Sequence, residues 1–298
     1  MNKQIFWIAS YPKSGNTLLR SILSSIFFTN DGLFNFKLLK NIPIIESTIN
    51  LDFIKKNNPK DYINIHKLEI LSKYWQAIQS RENLGFNSDF LFVKTHHALS
   101  NAFNNSFTSD SCTRGIIYIV RDPRDVVLSY AHHFNLSIEK SIIKILSTKS
   151  AVDWEDNQKK FLNKKKPFTI LSSWGFNCES WIDNPFKCPF LLIKYEDMIS
   201  NKLKTIEKLV NFFQKNYSFQ FDNLDKKIDN IIKSTDFNLL KKNEVEFGFP
   251  EAVGKKFFRK GALKQWEHIL TKDQVLSIEK KFYPLMKKIG YKIVYYKK

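Results

Sequence analysis

The feature that most constrains the fold of this chain is an apolar run, a loop and an amphipathic segment that follow one another through residues 5–28. Residues 5–9 have the character of a buried strand, residues 11–17 read YPKSGNT, and apolar residues then recur at helical spacing over residues 17–28. A strand that passes through a glycine-containing loop into a helix presents backbone N–H groups at the helix start, and such groups bind anions. The stretch therefore predicts a phosphate-binding loop.

The rest of the chain repeats this alternation of strand-like and helical patterns. The predicted strands are residues 5–9, 90–94, 115–120 and 190–194, and the predicted helices are residues 17–28, 123–133, 198–214 and 272–289. Alternating strands and helices predict an α/β fold with a central, mostly parallel sheet flanked by helices. Ligands of such sheets bind at the carboxyl ends of the strands. Because no linker-like composition interrupts residues 1–298, we expect a single domain.

The loop differs from the usual nucleoside-triphosphate loop, G-x-x-x-x-G-K-[ST]. Lys13 precedes Gly15 by two positions, and Asn16 follows Gly15 where that loop requires a lysine. The loop therefore favours a phosphate-like ligand without favouring ATP. A nucleotide or sugar kinase stays an alternative, and a Mg²⁺ requirement with ADP formation would support it.

Further polar residues follow the other predicted strands. In YIVRDPRDVVLSY, Arg121 ends a strand and Ser129 falls in a helix that begins at Pro123 behind the N-cap Asp122. The two side chains are predicted to converge on one anion, although a salt bridge from Arg121 to Asp122 or Asp125 is an alternative. FFRKG forms a second basic cluster, and LFVKTHHAL ends a strand with a lysine and two histidines.

Together these motifs resemble the PAPS-dependent sulfotransferases of the cytosolic type, where PAPS is 3′-phosphoadenosine 5′-phosphosulfate. YPKSGNT is similar to the family's 5′-phosphosulfate loop, usually YPKSGTTW, and YIVRDPRDVVLSY to its 3′-phosphate motif. Five more segments are similar to family motifs in the family's order: FVKTH, SSWGFNCESW, IKYEDM, STDFNLLKKN and FFRKGALKQW. The resemblance implies a fold like that of the P-loop-containing nucleoside-triphosphate hydrolases. It also implies sulfuryl transfer from PAPS to a hydroxyl or amine, with release of adenosine 3′,5′-bisphosphate (PAP).

The resemblance also implies the roles of individual residues. The 5′-phosphosulfate would be held by Lys13, Ser14, Gly15, Asn16 and Thr17. The 3′-phosphate would be held by Arg121, Ser129, Arg259, Lys260 and Gly261, and the adenine side would be lined by Tyr195, Thr235 and Phe237. His96 would be the general base with Lys94 beside it, His97 is the rival base, and Lys13 would stabilise the leaving group. No metal is implied, and Leu18 replaces a tryptophan that commonly stacks on adenine.

The charge of the chain indicates an anionic partner without identifying it. The formal net charge is +18 at pH 7, which suits a nucleotide, an acidic glycan acceptor or a nucleic acid. A basic nucleic-acid-binding protein is therefore a second alternative, although no recognised nucleic-acid motif is present. We expect a small-molecule or glycan hydroxyl acceptor and no nucleic acid, and the sequence leaves the oligomeric state open.

The cysteines and the hydropathy indicate a cytoplasmic protein. The three cysteines form no C-x-x-C pair, which is typical of thiols in a reducing compartment. The first predicted strand begins at Ile5, which leaves no room ahead of it for a secretory signal, and no apolar stretch reaches the length of a membrane span.

Overall fold

The computed structural model describes residues 4–45, 51–85, 88–152, 169–249, 251–252, 256–259 and 261–297. The chain divides into two compact units. Unit 1 contains residues 1–11, 43–118 and 144–192, and unit 2 contains residues 12–42, 119–143 and 193–298. The expectation of a single domain over residues 1–298 stays a prediction.

A four-stranded sheet forms the centre of the α/β fold. In chain order the strands are β1 (Ile5–Ser10), β2 (Leu91–Thr95), β3 (Asn101–Ala102), β4 (Asn105–Ser106), β5 (Thr113–Val120), β6 (Ala151–Val152), β7 (Thr169–Ile170) and β8 (Phe190–Lys194). The sheet order is β2-β1-β5-β8, and the pairs β3–β4 and β6–β7 are separate. β1 pairs in parallel with β2, and every residue of β1 is buried, as expected for an inner strand. The predicted strands are confirmed within two residues at each end.

Helices follow the strands, as the alternation predicted. In chain order they are α1 (Asn16–Phe28), α2 (Asp52–Asn57), α3 (Pro59–Ile63), α4 (Leu68–Ile78), α5 (Arg81–Leu84), α6 (Pro123–Phe134), α7 (Ile138–Leu146), α8 (Trp174–Ile182), α9 (Tyr195–Ser200), α10 (Lys202–Tyr217), α11 (Leu224–Ser234), α12 (Phe237–Phe247), α13 (Trp266–Ile269) and α14 (Lys272–Lys288). A 3₁₀ helix covers Phe36–Asn41. The predicted helices at residues 17–28, 123–133 and 272–289 are confirmed as α1, α6 and α14, and Asp122 caps α6 by accepting from the Arg124 N–H.

The prediction of one helix over residues 198–214 is wrong, because the chain breaks at Asn201 between α9 and α10. Asn201 has φ −145° and ψ 72°, and its side chain accepts from the backbone N–H of Lys204. Asparagine side chains compete with the helical backbone for hydrogen bonds and favour the N-cap. Apolar spacing alone does not reveal this interruption.

The core of unit 1 is built around aromatic residues on β1 and α8. Trp7 and Trp181 are both fully buried, with ring centroids 6.1 Å apart. The indole Nε1 of Trp7 donates to Thr113 Oγ1 at 3.2 Å. This packing fixes α8 against β1, which is the strand that carries the predicted loop at its carboxyl end.

In unit 2, two buried basic residues hold helix ends: Lys227 holds the end of α1, and Arg124 holds the start of α6. Lys227 donates from Nζ to the carbonyl oxygen of Ile26 at 3.0 Å, near the end of α1. Arg124 is 2% exposed and bridges Asp122 to the buried Glu279 of α14, with distances of 2.6 and 2.7 Å. A lost partner would leave a buried charge uncompensated, so this network fixes the start of α6.

Candidate functional site

The loop after β1 has the backbone of an anion-binding cradle. Lys13 and Gly15 have φ values of 69° and 99°, both in the left-handed region. Gly15 is the N-cap of α1, and no acidic residue lies in the first turn of this 13-residue helix. The start of α1 therefore directs the partial positive charge of the helix dipole at the loop, and the first turn itself contributes no acidic side chain.

Ser14 supplies a polar group that the protein itself does not satisfy. Its side chain is 1% exposed, and its Oγ has no hydrogen-bond partner among the described residues. A buried hydroxyl without a partner carries a desolvation cost. An anion in the loop would supply the missing partner.

Gly15 permits a close approach between the loop and α9. A Cβ atom placed at Gly15 would lie 2.4 Å from Tyr195 Cδ2 and 3.1 Å from Met198 Cε. Any other residue at this position would displace the Tyr195 ring. Burial raises the pKa of Tyr195, and the positive charge of Arg121 acts in the opposite direction.

Arg121 lies at the end of β5 and reaches the same loop. Its guanidinium stands 4.3 Å from the centroid of the Tyr195 ring, and its Nη1 donates to the carbonyl oxygen of Lys13 at 3.3 Å. Its Nε is buried and has no hydrogen-bond partner in the described part of the chain. Its Nη2 lies 3.9 Å from Asp125 Oδ2, which is too long for a hydrogen bond. Arg121 therefore keeps donor capacity for a ligand.

Asp125 instead anchors the chain that follows the FFRKG motif. Its two carboxylate oxygens accept from the backbone N–H groups of Lys264 and Trp266, at 2.9 and 3.2 Å. Burial raises the pKa of Asp125, against the influence of Arg121. The sequence suggested Asp125 only as an ion-pair partner, and its anchoring role comes from residues about 140 positions away.

A cleft in unit 2 brings together three of the predicted donor-site residues. Lys13, Ser129 and Arg259 come from three separate segments and line it jointly. The Nζ of Lys13 lies 4.4 Å from the centroid of the Phe257 ring. The remaining lining residues are His132, His133, Lys256 and Phe257. Such a concentration of cationic and neutral donor groups suits an anion.

Three further predicted residues of unit 2 are Gly261 and Phe237, which lie close together, and Thr235, which is the C-cap of α11. Gly261 has φ 63°, and a Cβ atom there would lie 2.7 Å from Phe237 Cγ. Thr235 is fully buried, and its hydroxyl donates to the carbonyl oxygen of Ile231 at the end of α11. Its own carbonyl oxygen accepts from Lys202 Nζ. Lys260 lies outside the described residues.

Asn16 and Thr17 stand at the start of α1, beside a pair of charged residues that sequence reasoning missed. Thr17 Oγ1 donates to Glu251 Oε2 at 3.4 Å, and Glu251 forms an ion pair with Arg20. Arg20 is 2% exposed and also donates to the backbone oxygens of Leu39 and Ile42. The sequence contained one signal of this ion pair: Arg20 interrupts the apolar residues of α1, and a buried arginine requires a partner.

In unit 1, His96 follows β2 and has a defined tautomer. Its Nδ1 lies 2.8 Å from the carbonyl oxygen of Ser10 and 3.2 Å from Ser10 Oγ. Because a carbonyl oxygen only accepts, the proton of the neutral ring is assigned to Nδ1. Nε2 is then the basic nitrogen, which is the arrangement that a general base requires.

The backbone of the two histidines is held by α8. Asn177 Nδ2 donates to the carbonyl oxygen of His96, and Trp181 Nε1 donates to that of His97 at 2.9 Å. Asn177 and Trp181 are one turn apart on the same helix, and both are fully buried. Sequence reasoning placed these residues only in a segment similar to a family motif, without a role.

His97 and Lys94 are less accessible than His96. His97 is 2% exposed and stacks on Phe107 with ring centroids 4.0 Å apart. Burial lowers the pKa of His97 to about 4. Lys94 is 8% exposed within β2. This environment favours His96 over His97 as the base.

Neither a cluster of metal ligands nor a membrane-spanning helix occurs in the part of the chain that the structure describes. That part of the chain contains no group of three or more His, Cys, Asp or Glu side chains that could hold a metal ion. Within the same ranges, no helix combines the length and the apolar character needed to cross a bilayer.

Comparison with known proteins places these features in a family. Residues 3–290 match the model of the sulfotransferase domain. The chain is 23% identical over 302 residues to the amine sulfotransferase of Oryctolagus cuniculus, covering 97% of this chain and 83% of that protein. It is 28% identical over 285 residues to the flavonol 3-sulfotransferase of Flaveria bidentis, covering 92% and 79% of the two chains.

A solved structure shares the fold. The mouse sulfotransferase SULT7A1, crystallised in complex with PAP, superimposes with a TM-score of 0.57 at 19% identity and covers 96% of this chain and 84% of that one. The P-loop-like α/β fold implied by the sequence motifs is confirmed. Since the sulfotransferase-domain match extends over residues 3–290, this chain belongs to the sulfotransferase family.

Proposed function

We propose that this sulfotransferase takes the sulfuryl group from PAPS, passes it to a hydroxyl or amine of a small-molecule or glycan acceptor, and releases PAP. The observation that carries the proposal is the buried Ser14 Oγ, which has no partner among the described residues and lies in the loop directly before the N-cap of α1. An anionic phosphosulfate would satisfy this hydroxyl and the helix dipole together. Family membership supplies the reaction class.

The 5′-phosphosulfate is assigned to the loop after β1. In this proposal Lys13 places a mobile positive charge beside the bridging oxygen, and Ser14 donates from its hydroxyl. Gly15 allows the close packing of the loop on Tyr195. Asn16 and Thr17 contribute the start of α1 and their polar side chains.

The 3′-phosphate and the adenine are assigned to other segments of unit 2. Arg121 Nε, Ser129 and Arg259 supply donors, which is consistent with the buried Arg121 Nε and with the cleft that Ser129 and Arg259 line. The family resemblance adds Lys260 and Gly261 on the phosphate side. On the adenine side it adds Tyr195, Thr235 and Phe237.

PAPS would supply an activated sulfuryl group, and the chain's own residues would handle charge and protons. By analogy with phosphoryl transfer, the transition state is loose and in line, so the protein mainly positions groups and stabilises charge. Lys13 would stabilise the negative charge that develops on the leaving group. His96 would accept the acceptor's proton at Nε2, while its Nδ1–H stays bonded to Ser10. Lys94 would lie beside the base, and no metal is required.

The acceptor is assigned by class only. The names of the two relatives refer to an amine and a flavonol, which supports a small molecule with a nucleophilic nitrogen or oxygen. The net charge of +18 supports testing acidic glycans as well. We further propose a single functional domain over residues 1–298. We also propose a cytoplasmic location, which the thiols of the three cysteines support.

The experiment incubates the purified chain with PAPS and a panel of phenols, alcohols, amines and sugars, in the presence of a chelator. Mass spectrometry is expected to find an acceptor product heavier by one sulfuryl group, together with PAP. His96→Ala is expected to lower turnover by ~10²–10⁴-fold while PAP binding is retained. A parallel reaction with ATP and Mg²⁺ tests the kinase alternative. ADP formation there, with neither PAP binding nor a sulfated product, would overturn the proposal.

A further inference from the structure

A buried carboxylate of α12 holds the backbone that leads into the FFRKG motif. Glu244 is 7% exposed, and its Oε1 accepts from the N–H of Phe257 at 2.5 Å. Its Oε2 accepts from the N–H of Phe258 at 2.9 Å. Both carboxylate oxygens are therefore used on two consecutive residues of the same short segment.

Two consecutive N–H groups that point at one carboxylate define the local course of the chain. Hydrogen bonds to an ionised acceptor are about twice as strong as neutral ones. The buried position strengthens them further, because little water competes for the carboxylate. Glu244 therefore restricts the conformation of residues 257–258 more than side-chain packing alone would.

The segment held in this way reaches the candidate donor site. Phe257 lies in the cleft, where its ring contacts the Lys13 ammonium at 4.4 Å. Phe258 is buried and stacks on Phe36, with centroids 5.9 Å apart. Arg259 follows directly and lines the cleft together with Ser129. The two residues that Glu244 holds therefore lead directly to a side chain that lines the cleft.

We propose that Glu244 is a positioning residue for recognition of the donor's 3′-phosphate. Its carboxylate fixes the backbone of residues 257–258, so that Arg259 is presented to the cleft before the donor binds. Preorganisation of this kind reduces the entropy lost on binding. The inference rests on the proposed use of PAPS, and it adds a residue that makes no contact with the donor itself.

The test compares two ligands that differ only in the 3′-phosphate, namely PAP and adenosine 5′-monophosphate (AMP). Equilibrium titration measures Kd for both ligands with the full-length chain and with Glu244→Gln. The amide keeps the size of the side chain, but it can accept only one of the two N–H groups and turns a donor toward the other. Glu246→Gln is the matched control, because it makes the same chemical change at an exposed position of α12.

We expect Glu244→Gln to weaken PAP binding by ~10-fold, which corresponds to about 1.4 kcal/mol, and to change AMP binding by less than about twofold. Glu246→Gln is expected to leave both Kd values unchanged. If Glu244→Gln keeps the wild-type ratio of the two Kd values, the inference is wrong while the proposed function stands. An equal loss for both ligands, with lower thermal stability, would also contradict it. If the unmodified chain binds no PAP, the proposed function fails first and the inference fails with it.

Discussion

Asn177 donates from Nδ2 to the carbonyl oxygen of His96 at 3.0 Å, across 81 positions of sequence. The same amide donates to the carbonyl oxygen of Leu171 at 3.0 Å, and its Oδ1 accepts from the Tyr118 hydroxyl at 2.8 Å. A fully buried amide whose two donors and one acceptor are all used is a rigid support. It holds the backbone of His96, while the Nδ1 bond to Ser10 holds the ring.

Asn177→Ala is therefore expected to lower kcat through misplacement of His96. Both donated bonds are lost, and a small displacement of a catalytic group costs roughly 10–100-fold in rate. Kd for PAP is expected to stay within about twofold of the unmodified value, because the change removes no donor-site contact. Steady-state kinetics and PAP titration provide the two measurements.

Tyr118→Phe is the control for this prediction. It removes the bond to Asn177 Oδ1 and leaves both donors of the amide in place, so kcat is expected to fall less than with Asn177→Ala. A wild-type kcat in Asn177→Ala would contradict the positioning role. So would a loss of PAP affinity as large as the loss of rate.

The cleft in unit 2 contains two lysines, and only Lys13 has a predicted role in catalysis. Lys13 belongs to the loop after β1, and Lys256 is an exposed residue of the same lining. Lys13→Met is expected to lower kcat by ~10²–10³-fold, because it removes charge from the predicted position of the leaving group. Lys256→Met removes an equal charge that solvent screens, so kcat is expected to change by less than about threefold at 0.15 M salt. Equal effects of the two substitutions would show that only the summed charge matters.

Alanine substitutions at Gly15 and Gly85 distinguish a steric clash from backbone strain. Both have positive φ, at 99° and 66°, but only Gly15 has a neighbour that an added Cβ would meet. Gly85→Ala is expected to lower the free energy of unfolding by about 1 kcal/mol from backbone strain alone, with Kd for PAP unchanged. Gly15→Ala is expected to lower it further and to weaken PAP binding at least ~10-fold, because Tyr195 must move. Urea unfolding and PAP titration check both values, and equal behaviour of the two variants would refute the assigned contact.

The sequence predicted those parts of the fold and site that depend on local pattern. Buried strands are visible as apolar runs, and a loop between strand and helix is visible through Gly15 and Lys13. The break at Asn201 was missed, because the apolar residues keep helical spacing on both sides of it. The asparagine nevertheless ends one helix and caps the next. The supports of the site were missed for a different reason. Asn177 and Glu244 act on the backbone of distant residues, and only the folded packing determines which carbonyl or N–H each one meets.

His97 is expected to make the fold sensitive to acid. Burial beside Phe107 and Trp75 lowers its pKa to about 4, against an ordinary value of 6.5. Between these values the unfolded chain binds a proton that the folded chain does not, so stability falls as pH decreases through this window. From pH 7.5 to pH 5 this contributes a loss of about 2 kcal/mol. Urea unfolding of His97→Phe is expected to lack that loss, whereas His66→Gln, at an exposed position, is expected to retain it. The same pH dependence in His97→Phe as in the unmodified chain would assign acid sensitivity to other groups.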